Sequence, residues 1–139
     1  MGKRSREKGA DAERAVARIL QIVYPNAQRR VSGEEGQGEN LGRDIKGTPG
    51  LCVQVKEMGA PSPLAALEEA IGAAQPGEIP VAFVRQSRRG SSTPFRVVLK
   101  VSDFMNLVEH SDFVLAIGRI NKELNELSES DPQMKARIG

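Results

Sequence analysis

One predicted β-hairpin, in residues 43–56, constrains the fold of this chain more than any other segment. Its first strand covers residues 43–47 and its second strand covers residues 51–56. Between them stands Thr48-Pro49-Gly50, a run of residue types that favours a turn. Any fold for this chain must therefore place these two strands side by side.

Three polar residues in this hairpin suggest a chemical site. Gln54 and Lys56 are two positions apart and point to one face of their strand, while Val53 and Val55 point to the opposite face, toward a core. The hairpin places Asp44 beside them, although Asp is disfavoured in strands. A hard cation such as Mg²⁺ prefers oxygen ligands, which the Asp44 carboxylate, the Gln54 amide and a backbone carbonyl can supply. The same pattern also fits a half-exposed strand without a function.

The composition fits one globular domain. The chain has 139 residues, 39% of them hydrophobic and 27% charged, and a chain of this length can bury a core without staples. The single cysteine, Cys52, can form no internal disulfide and is predicted to be a core residue. No apolar run approaches the length of a membrane span, and the N-terminus has no hydrophobic signal region. These features predict a cytoplasmic protein that does not contact membranes.

Basic residues are concentrated in two segments, although the net charge is only +2. Residues 1–30 carry eight Lys or Arg and residues 85–100 carry five with no acidic residue, whereas residues 103–131 are mainly acidic. One such cluster is more often a solvated face than a binding site. Two basic clusters in a chain with a candidate carboxylate site favour a polyanion partner, DNA.

Hydrophobic periodicity and turn residues predict the element order α-β-β-β-α-β-β-α-α. The predicted helices cover residues 10–23, 63–75, 102–109 and 113–127, and the predicted strands cover residues 27–32, 43–47, 51–56, 79–85 and 95–101. The helix after residue 56 lets the next strand return parallel to its predecessor. The fold class is therefore α/β, with a mixed five-stranded sheet flanked by helices. The apolar stripe of residues 113–127 is a candidate interface or a core face.

The hairpin resembles the active-site motif of the PD-(D/E)XK nucleases, the superfamily of restriction endonucleases and many recombination nucleases. The usual pattern is an acidic residue on a first helix, then an Asp, then Glu-x-Lys. Glu13, Asp44 and Lys56 stand at matching positions, whereas Gln54 replaces the Glu and Arg43 replaces the Pro that names the motif. An amide oxygen can still bind a metal, but the exchange removes one negative charge.

Within that superfamily, residues 9–86 are most similar to Holliday-junction resolvases of the archaeal type. The segments that carry this similarity are Gly9-Ala10-Asp11-Ala12-Glu13-Arg14, Arg29-Arg30-Val31-Ser32-Gly33 and the hairpin itself. The resemblance implies a restriction-endonuclease-like nuclease core in residues 9–110. A flexible basic tail would precede it in residues 1–8, and a C-terminal helix with an acidic tail would follow in residues 111–139.

The resemblance implies a Mg²⁺- or Mn²⁺-dependent deoxyribonuclease that acts in DNA recombination or repair. Asp44, Gln54 and the Val55 carbonyl would bind the metal, with Glu13 bound directly or through water, and Lys56 would position the attacking water. The implied catalytic residues are thus Glu13, Asp44, Gln54 and Lys56. Symmetric cutting of a four-way junction implies a homodimer.

Basic residues in three segments are the predicted contacts to the DNA backbone. The segments are the N-terminal tail, the strand before the hairpin and the loop that follows residue 85. Their members are Lys3, Arg4, Arg6, Lys8, Arg29, Arg30, Ser32, Arg85, Arg88 and Arg89. Contacts of this kind predict salt-sensitive binding with little sequence readout.

Two other functions remain open from the sequence. One is a different nuclease of the same superfamily, such as a nicking, restriction-type or exonuclease enzyme. The other is a non-catalytic DNA-binding module that kept the fold after losing the Glu at the position of Gln54. The small size suits a phage or mobile-element protein.

Overall fold

A computed structural model describes residues 3–31, 42–88 and 91–130. The chain divides into two compact units, Met1–Lys100 and Val101–Gly139. The helices of the described residues are α1 Lys3–Leu20, α2 Pro63–Ala73, α3 Val101–Glu109 and α4 Asp112–Ser130. The strands are β1 Gln28–Arg29, β2 Ile45–Lys46, β3 Leu51–Met58, β4 Ile79–Arg88, β5 Ser91–Ser92 and β6 Arg96–Val98. Of the helices in these segments, none has the length and apolar character that crossing a membrane requires.

The first unit contains a mixed sheet, which confirms the α/β fold class. Strands β1, β2 and β3 form an antiparallel meander, and β3 then pairs in parallel with β4, from Leu51 opposite Ile79 to Met58 opposite Gln86. β6 pairs antiparallel with the other side of β4. These five strands form an open sheet in the order β1-β2-β3-β4-β6, and the short β5 pairs only with the end of β4.

The crossover between the two parallel strands is α2. It begins after Ser62, whose hydroxyl accepts the N–H of Ala65, and Pro63 occupies its first turn, where a missing N–H costs little. It ends where the Ala74 N–H donates to the carbonyls of Ala70 and Ile71. α2 carries the chain across one face of the sheet, as a parallel connection requires.

The two faces of the sheet have separate hydrophobic clusters. Val16 and Ala17 of α1 pack with Ala27, Ile45, Val53, Val81 and Phe83, while Ala66 and Leu67 of α2 pack with Ala82 and Val84. Because alternate residues of β4 belong to different clusters, α1 and α2 cover opposite faces. Each fully buried Val contributes roughly 1.5–3 kcal/mol by the hydrophobic effect. Gln54 and Lys56 pair with Ala82 and Val84 and therefore point to the face that α2 covers.

Several boundaries differ from those predicted from the sequence. α1 begins at Lys3, so residues 3–8, predicted to be a flexible tail, are helical; four of these six residues are Lys or Arg, which favour helices. β4 extends to Arg88 and pairs back with Ser91-Ser92, where the sequence predicted a loop in residues 86–93. Thr93 helps to close this hairpin, since its hydroxyl donates to the Gln86 carbonyl at 2.7 Å.

The second unit consists of α3 and α4. The predicted apolar stripe of α4 is exposed, with Ile117, Ile120, Leu124 and Leu127 retaining 41–56% of their accessible surface. Its role as an interface therefore stays a prediction. α4 continues to Ser130, beyond the predicted end at residue 127.

Candidate active site

Asp44 lies where β1, β2 and β3 meet. Its N–H donates to the Val53 carbonyl at 3.0 Å, and its own carbonyl accepts the N–H of Arg30 at 2.8 Å. Its side-chain Oδ2 accepts the N–H of Val55 at 2.8 Å. The carboxylate thus accepts a β3 N–H at the point where the backbone of β2 no longer pairs with β3. This hydrogen bond explains why an Asp stands at this strand end.

The Val55 carbonyl lies at this same edge. In an extended strand the N–H and C=O of one residue point to the same side. Because the Val55 N–H is directed at Asp44, the Val55 carbonyl is directed toward the same place. This geometry agrees with the predicted use of that carbonyl as a metal ligand.

Gln54 is fixed next to Asp44. Its side chain is buried, with 6% exposure, and its Nε2 donates to the carbonyl of Gly42. Gly42 has a φ of +81°, a conformation that favours glycine. The Gln54 Oε1 makes no hydrogen bond within the part of the chain that the structure describes. The Nε2 bond thus fixes the side chain and leaves its oxygen available as a metal ligand.

Arg43, which stands where the motif has Pro, is buried and forms an ion pair with Glu78. It is 5% exposed, and its guanidinium donates to both carboxylate oxygens of Glu78, at 2.7 and 2.6 Å. It also donates to the Leu51 carbonyl at 3.4 Å. A bidentate pair of this kind fixes geometry as well as charge. It therefore holds Arg43, the residue before Asp44, next to Glu78 at the start of β4.

Two ion pairs flank Asp44, one from each side of the sheet. Glu13 of α1 accepts from Arg29 Nε at 3.0 Å, and Lys56 Nζ lies 3.7 Å from Glu69 Oε1 of α2. Glu13 and Lys56 were predicted site residues, and the structure brings both into the surroundings of Asp44. Glu69 was not predicted, because only the packing of α2 on the sheet brings it near the hairpin.

The surroundings of Asp44 raise its pKa to about 6. Burial is the largest cause, and the negative charges of Glu13 and Glu69 act in the same direction. The Val55 hydrogen bond and the positive charge of Lys56 oppose them. A bound proton or a nearby cation would stabilise a carboxylate in such a position.

A groove of about 560 Å³ opens beside these residues. It is lined by Gly42, Asp44, Gln54, Glu69, Gly72, Ala73 and Gln75. Small residues form much of its wall, so the carboxyl and amide groups are accessible from solvent. The groove is therefore the place where a cation or a phosphate would meet Asp44.

The oxygen groups at this groove fit a hydrated Mg²⁺. Asp44 and Gln54 offer hard oxygen donors at the groove wall, and the Val55 carbonyl offers a third on the side of β3 that faces Asp44. Mg²⁺ commonly binds through one or two carboxylates while it keeps several waters. Within residues 3–31, 42–88 and 91–130, no three His, Cys, Asp or Glu side chains are arranged to hold a metal by themselves. A site here thus depends on neutral oxygens and waters, which suits Mg²⁺ better than Zn²⁺.

Known proteins provide no further guide to this arrangement. No protein-family model, curated protein or solved structure matches the chain. The geometry around Asp44 is therefore the basis for a functional proposal.

Arg29 and Arg30, predicted to contact the DNA backbone, lie next to residues that surround Asp44, and their contact with DNA stays a prediction. Arg29 pairs with Glu13, and Arg30 holds the Asp44 carbonyl through its backbone N–H. Arg14 and Arg18 of α1 line a groove of about 410 Å³ together with Arg29. These two arginines were not among the predicted DNA contacts, although their spacing of four residues places them on one helix face.

Arg85 has a structural explanation that the sequence did not reveal. Its guanidinium donates to Glu57 at 2.8 Å and lies 4.1 Å from the centre of the Phe95 ring. The pair is largely buried, so the charge of Arg85 is matched within the fold. Glu57 follows Lys56 directly and could have been recognised as an acidic partner.

The remaining predicted DNA contacts are not located at the level of side chains. Lys3, Arg4, Arg6 and Lys8 belong to α1 and Arg88 to β4, but the structure describes only their backbone. Ser32 and Arg89 lie outside the described residues. Their roles stay predictions.

Proposed function

We propose that this chain is a metal-dependent DNA endonuclease that hydrolyses phosphodiester bonds. The observation that carries the proposal is the Asp44 carboxylate, held by the Val55 N–H at 2.8 Å beside the buried amide of Gln54. Lys56 lies on the same face of β3 as Gln54. Preference for branched DNA, such as four-way junctions, rests on the sequence resemblance of residues 9–86.

Three oxygen groups would hold the cation. Asp44 retains Oδ1 for this purpose because Oδ2 accepts the Val55 N–H, and Gln54 Oε1 and the Val55 carbonyl are close to it in the fold. Bound Mg²⁺ would polarise a phosphoryl oxygen and lower the pKa of a bound water. Glu13, paired with Arg29, would act through a water.

Lys56 would orient the attacking water or offset charge on the phosphate. Its ammonium group is half-buried and lies 3.7 Å from Glu69, a distance at which the pair is weak. A weakly held ammonium group can turn to a substrate at little cost. Lys56 therefore combines a partly exposed ammonium group next to Glu69, a residue of the groove wall, with a position fixed by β3.

Basic residues beside the site would hold the DNA backbone. Arg14, Arg18 and Arg29 share one groove, and the sequence of α1 before them is also rich in basic residues. Phosphate contacts of this kind give binding that weakens steeply as salt rises. They fix the position of the duplex without reading its sequence.

Cleavage of labelled DNA in the presence of Mg²⁺ or Mn²⁺ tests the proposal. The substrates are a four-way junction, a plain duplex and a single strand, and the variant is Lys56→Ala. We expect paired symmetric cuts in the junction, and a rate about 10²-fold lower in the variant because a group that positions the proton or water is lost. Lys122→Ala, an exposed lysine of α4, is the matched control and should cut like the wild type.

The pattern of products separates the alternatives. Cuts in plain duplex or single strand would keep the nuclease but contradict the junction preference. Binding to DNA without any cut would contradict the nuclease and select the non-catalytic DNA-binding module. The buried hydrogen bond from Gln54 to Gly42 is the observation that favours this second function, because it gives Gln54 a structural role.

Gln54→Glu is expected to make the fold more dependent on metal. A glutamate cannot donate to the Gly42 carbonyl, so the loss of this bond should cost about 1–3 kcal/mol in the absence of metal. The added carboxylate should bind Mg²⁺ more tightly and keep or raise the cleavage rate. Thermal unfolding with and without Mg²⁺ measures both effects.

The comparison with the wild type decides the outcome. We expect a larger Mg²⁺-induced rise in Tm for Gln54→Glu than for the wild type, because a ligand that binds only the folded state stabilises it in proportion to its affinity. An equal rise in both proteins would mean that position 54 does not contact the cation.

A further inference from the structure

Glu69 occupies the wall of the groove opposite the hairpin. It lies on α2 between the buried residues Ala66 and Ala70, and it lines the same groove as Asp44 and Gln54. Its Oε1 is 3.7 Å from Lys56 Nζ. The only acidic residue that α2 contributes to this groove thus faces the two polar side chains of β3.

The hairpin itself offers little negative charge to a cation. Gln54 is neutral, and one oxygen of Asp44 already accepts the Val55 N–H. The affinity of an oxygen site for a divalent cation depends on how many of its ligands are charged. A second carboxylate at the groove would therefore change the affinity substantially.

The amide of Gln54 offers an oxygen ligand at the same groove. The side chain is 94% removed from solvent, since its exposure is 6%, and it lines the groove. Its Nε2 is bonded to Gly42, whereas its Oε1 has no hydrogen-bond partner among the residues that the structure describes. The oxygen lines the open groove and is therefore available to water or to a hydrated cation.

The groove has room for a hydrated cation between these groups. Gly42, Gly72 and Ala73 keep its wall free of large side chains, and a Cβ added at Gly72 would meet nothing within 4 Å. Its volume of about 560 Å³ far exceeds the roughly 30 Å³ that one water occupies in the liquid. Space thus sets no limit on a cation that keeps several waters.

We propose that Glu69 supplies, directly or through a water, the second carboxylate of a divalent-cation site formed with Asp44 and Gln54. The proposal rests on the function proposed above. The Glu69 side chain is 55% exposed and its contact to Lys56 is long, so its carboxylate can turn toward the cation. Lys56 is then released to the phosphate, and α2 provides the charge that position 54 lacks.

Cation affinity in the absence of DNA tests this role of Glu69. Binding of Mn²⁺ is measured by electron paramagnetic resonance for the wild type, Glu69→Gln and Glu68→Gln. Glu68 is the matched control because it is exposed on the same helix and its replacement removes the same charge. We expect Glu69→Gln to weaken Mn²⁺ binding about tenfold or more and Glu68→Gln to leave it unchanged.

A double variant distinguishes a ligand from a remote charge. Gln54→Glu combined with Glu69→Gln returns a carboxylate to the groove from β3, and we expect it to restore Mn²⁺ affinity. Equal binding by Glu69→Gln and Glu68→Gln would overturn the role of Glu69 while DNA cleavage by the wild type still supported the proposed function. A wild type that neither binds Mn²⁺ nor cuts DNA would overturn both.

Discussion

Asp44→Asn is expected to abolish DNA cleavage and at the same time to stabilise the fold at neutral pH. Asparagine keeps an oxygen that can accept the Val55 N–H, so the local geometry should survive. The variant loses the negative charge that would bind the cation, and we expect a fall in rate of at least about 10³-fold, the upper end for one electrostatic group. A gain in stability together with a loss of activity is typical of a functional site that holds a partly buried charge.

The stability gain follows from the pKa of Asp44. This pKa is about 6 in the folded protein against 3.8 for the ordinary group, so the folded state binds the proton more tightly than the unfolded state does. The stability contributed by the protonated form is fully present below the ordinary pKa and is lost as pH rises through the folded value. At neutral pH the charged group therefore costs about 1–3 kcal/mol, which Asn avoids.

Urea unfolding at several pH values measures this effect. We expect Asp44→Asn to match the wild type near pH 4, to exceed it progressively up to about pH 6, and to keep a constant advantage above that. Glu68→Gln, which removes an exposed acid, is the control and should show no such trend. Added Mg²⁺ should stabilise the wild type but not Asp44→Asn, since the ligand would act only on a protein that binds it.

Two results would contradict different parts of this prediction. Cleavage by Asp44→Asn at the wild-type rate would show that the proposed site is wrong. Equal stability of the two proteins at neutral pH would show that the surroundings of Asp44 do not destabilise its charged form, whatever its role in cleavage.

The hairpin could be predicted from the sequence because the residues that determine its turn and strand pairing are close together in the chain. A turn between two short strands fixed the neighbourhood of Asp44 and Gln54, and alternation along the strand assigned Gln54 and Lys56 to one face. The structure confirms this pairing, with Ile45 opposite Val53. The crossover helix was predictable for a similar reason, since Ser62-Pro63 marks its start.

Contacts that depend on the packing of α2 and of neighbouring strands could not be predicted from the sequence in the same way. Glu69 reaches the groove only because α2 lies on that face of β3, and no spacing rule in the sequence connects it to Asp44. Arg85 was predicted to contact DNA from its place in a basic segment, whereas its partners are Glu57 of the neighbouring β3 and Phe95, the residue before β6. Basic residues signal a charged surface, but pairing across a sheet decides which of them are available.

The ion pair of Arg43 and Glu78 was not predicted from the sequence. Breaking this pair by mutation is expected to have a large effect on stability. The two residues are 35 positions apart, and Arg43 stood out only as the residue that replaces a Pro. Glu78→Ala is expected to lower the free energy of unfolding by about 1.5–3 kcal/mol, because Arg43 loses its two charge-assisted hydrogen bonds to the Glu78 carboxylate. Arg43, with 5% exposure, would keep its charge and lose both carboxylate bonds.

The pH dependence of this pair runs opposite to that of Asp44. The hydrogen bonds from Arg43 are the largest cause that lowers the pKa of Glu78 below its ordinary value of 4.5. A lowered pKa in the folded state means that the stabilisation is present above the ordinary pKa and is lost as pH falls through the folded value. The difference between wild type and Glu78→Ala should therefore shrink in acid.

Urea unfolding of single and double variants measures the coupling in the Arg43–Glu78 pair. Glu68→Ala controls for the loss of an exposed acid on α2, and the double variant Arg43→Met with Glu78→Leu replaces both charges by apolar groups of similar length. We expect the double variant to be more stable than Glu78→Ala, because it has no buried guanidinium that has lost its hydrogen bonds to a carboxylate. A Glu78→Ala protein as stable as Glu68→Ala would mean that the pair does not hold Arg43 in place. Because Arg43 precedes Asp44, weaker Mn²⁺ binding by Glu78→Ala, still folded, would show that this pair also positions the candidate cation site.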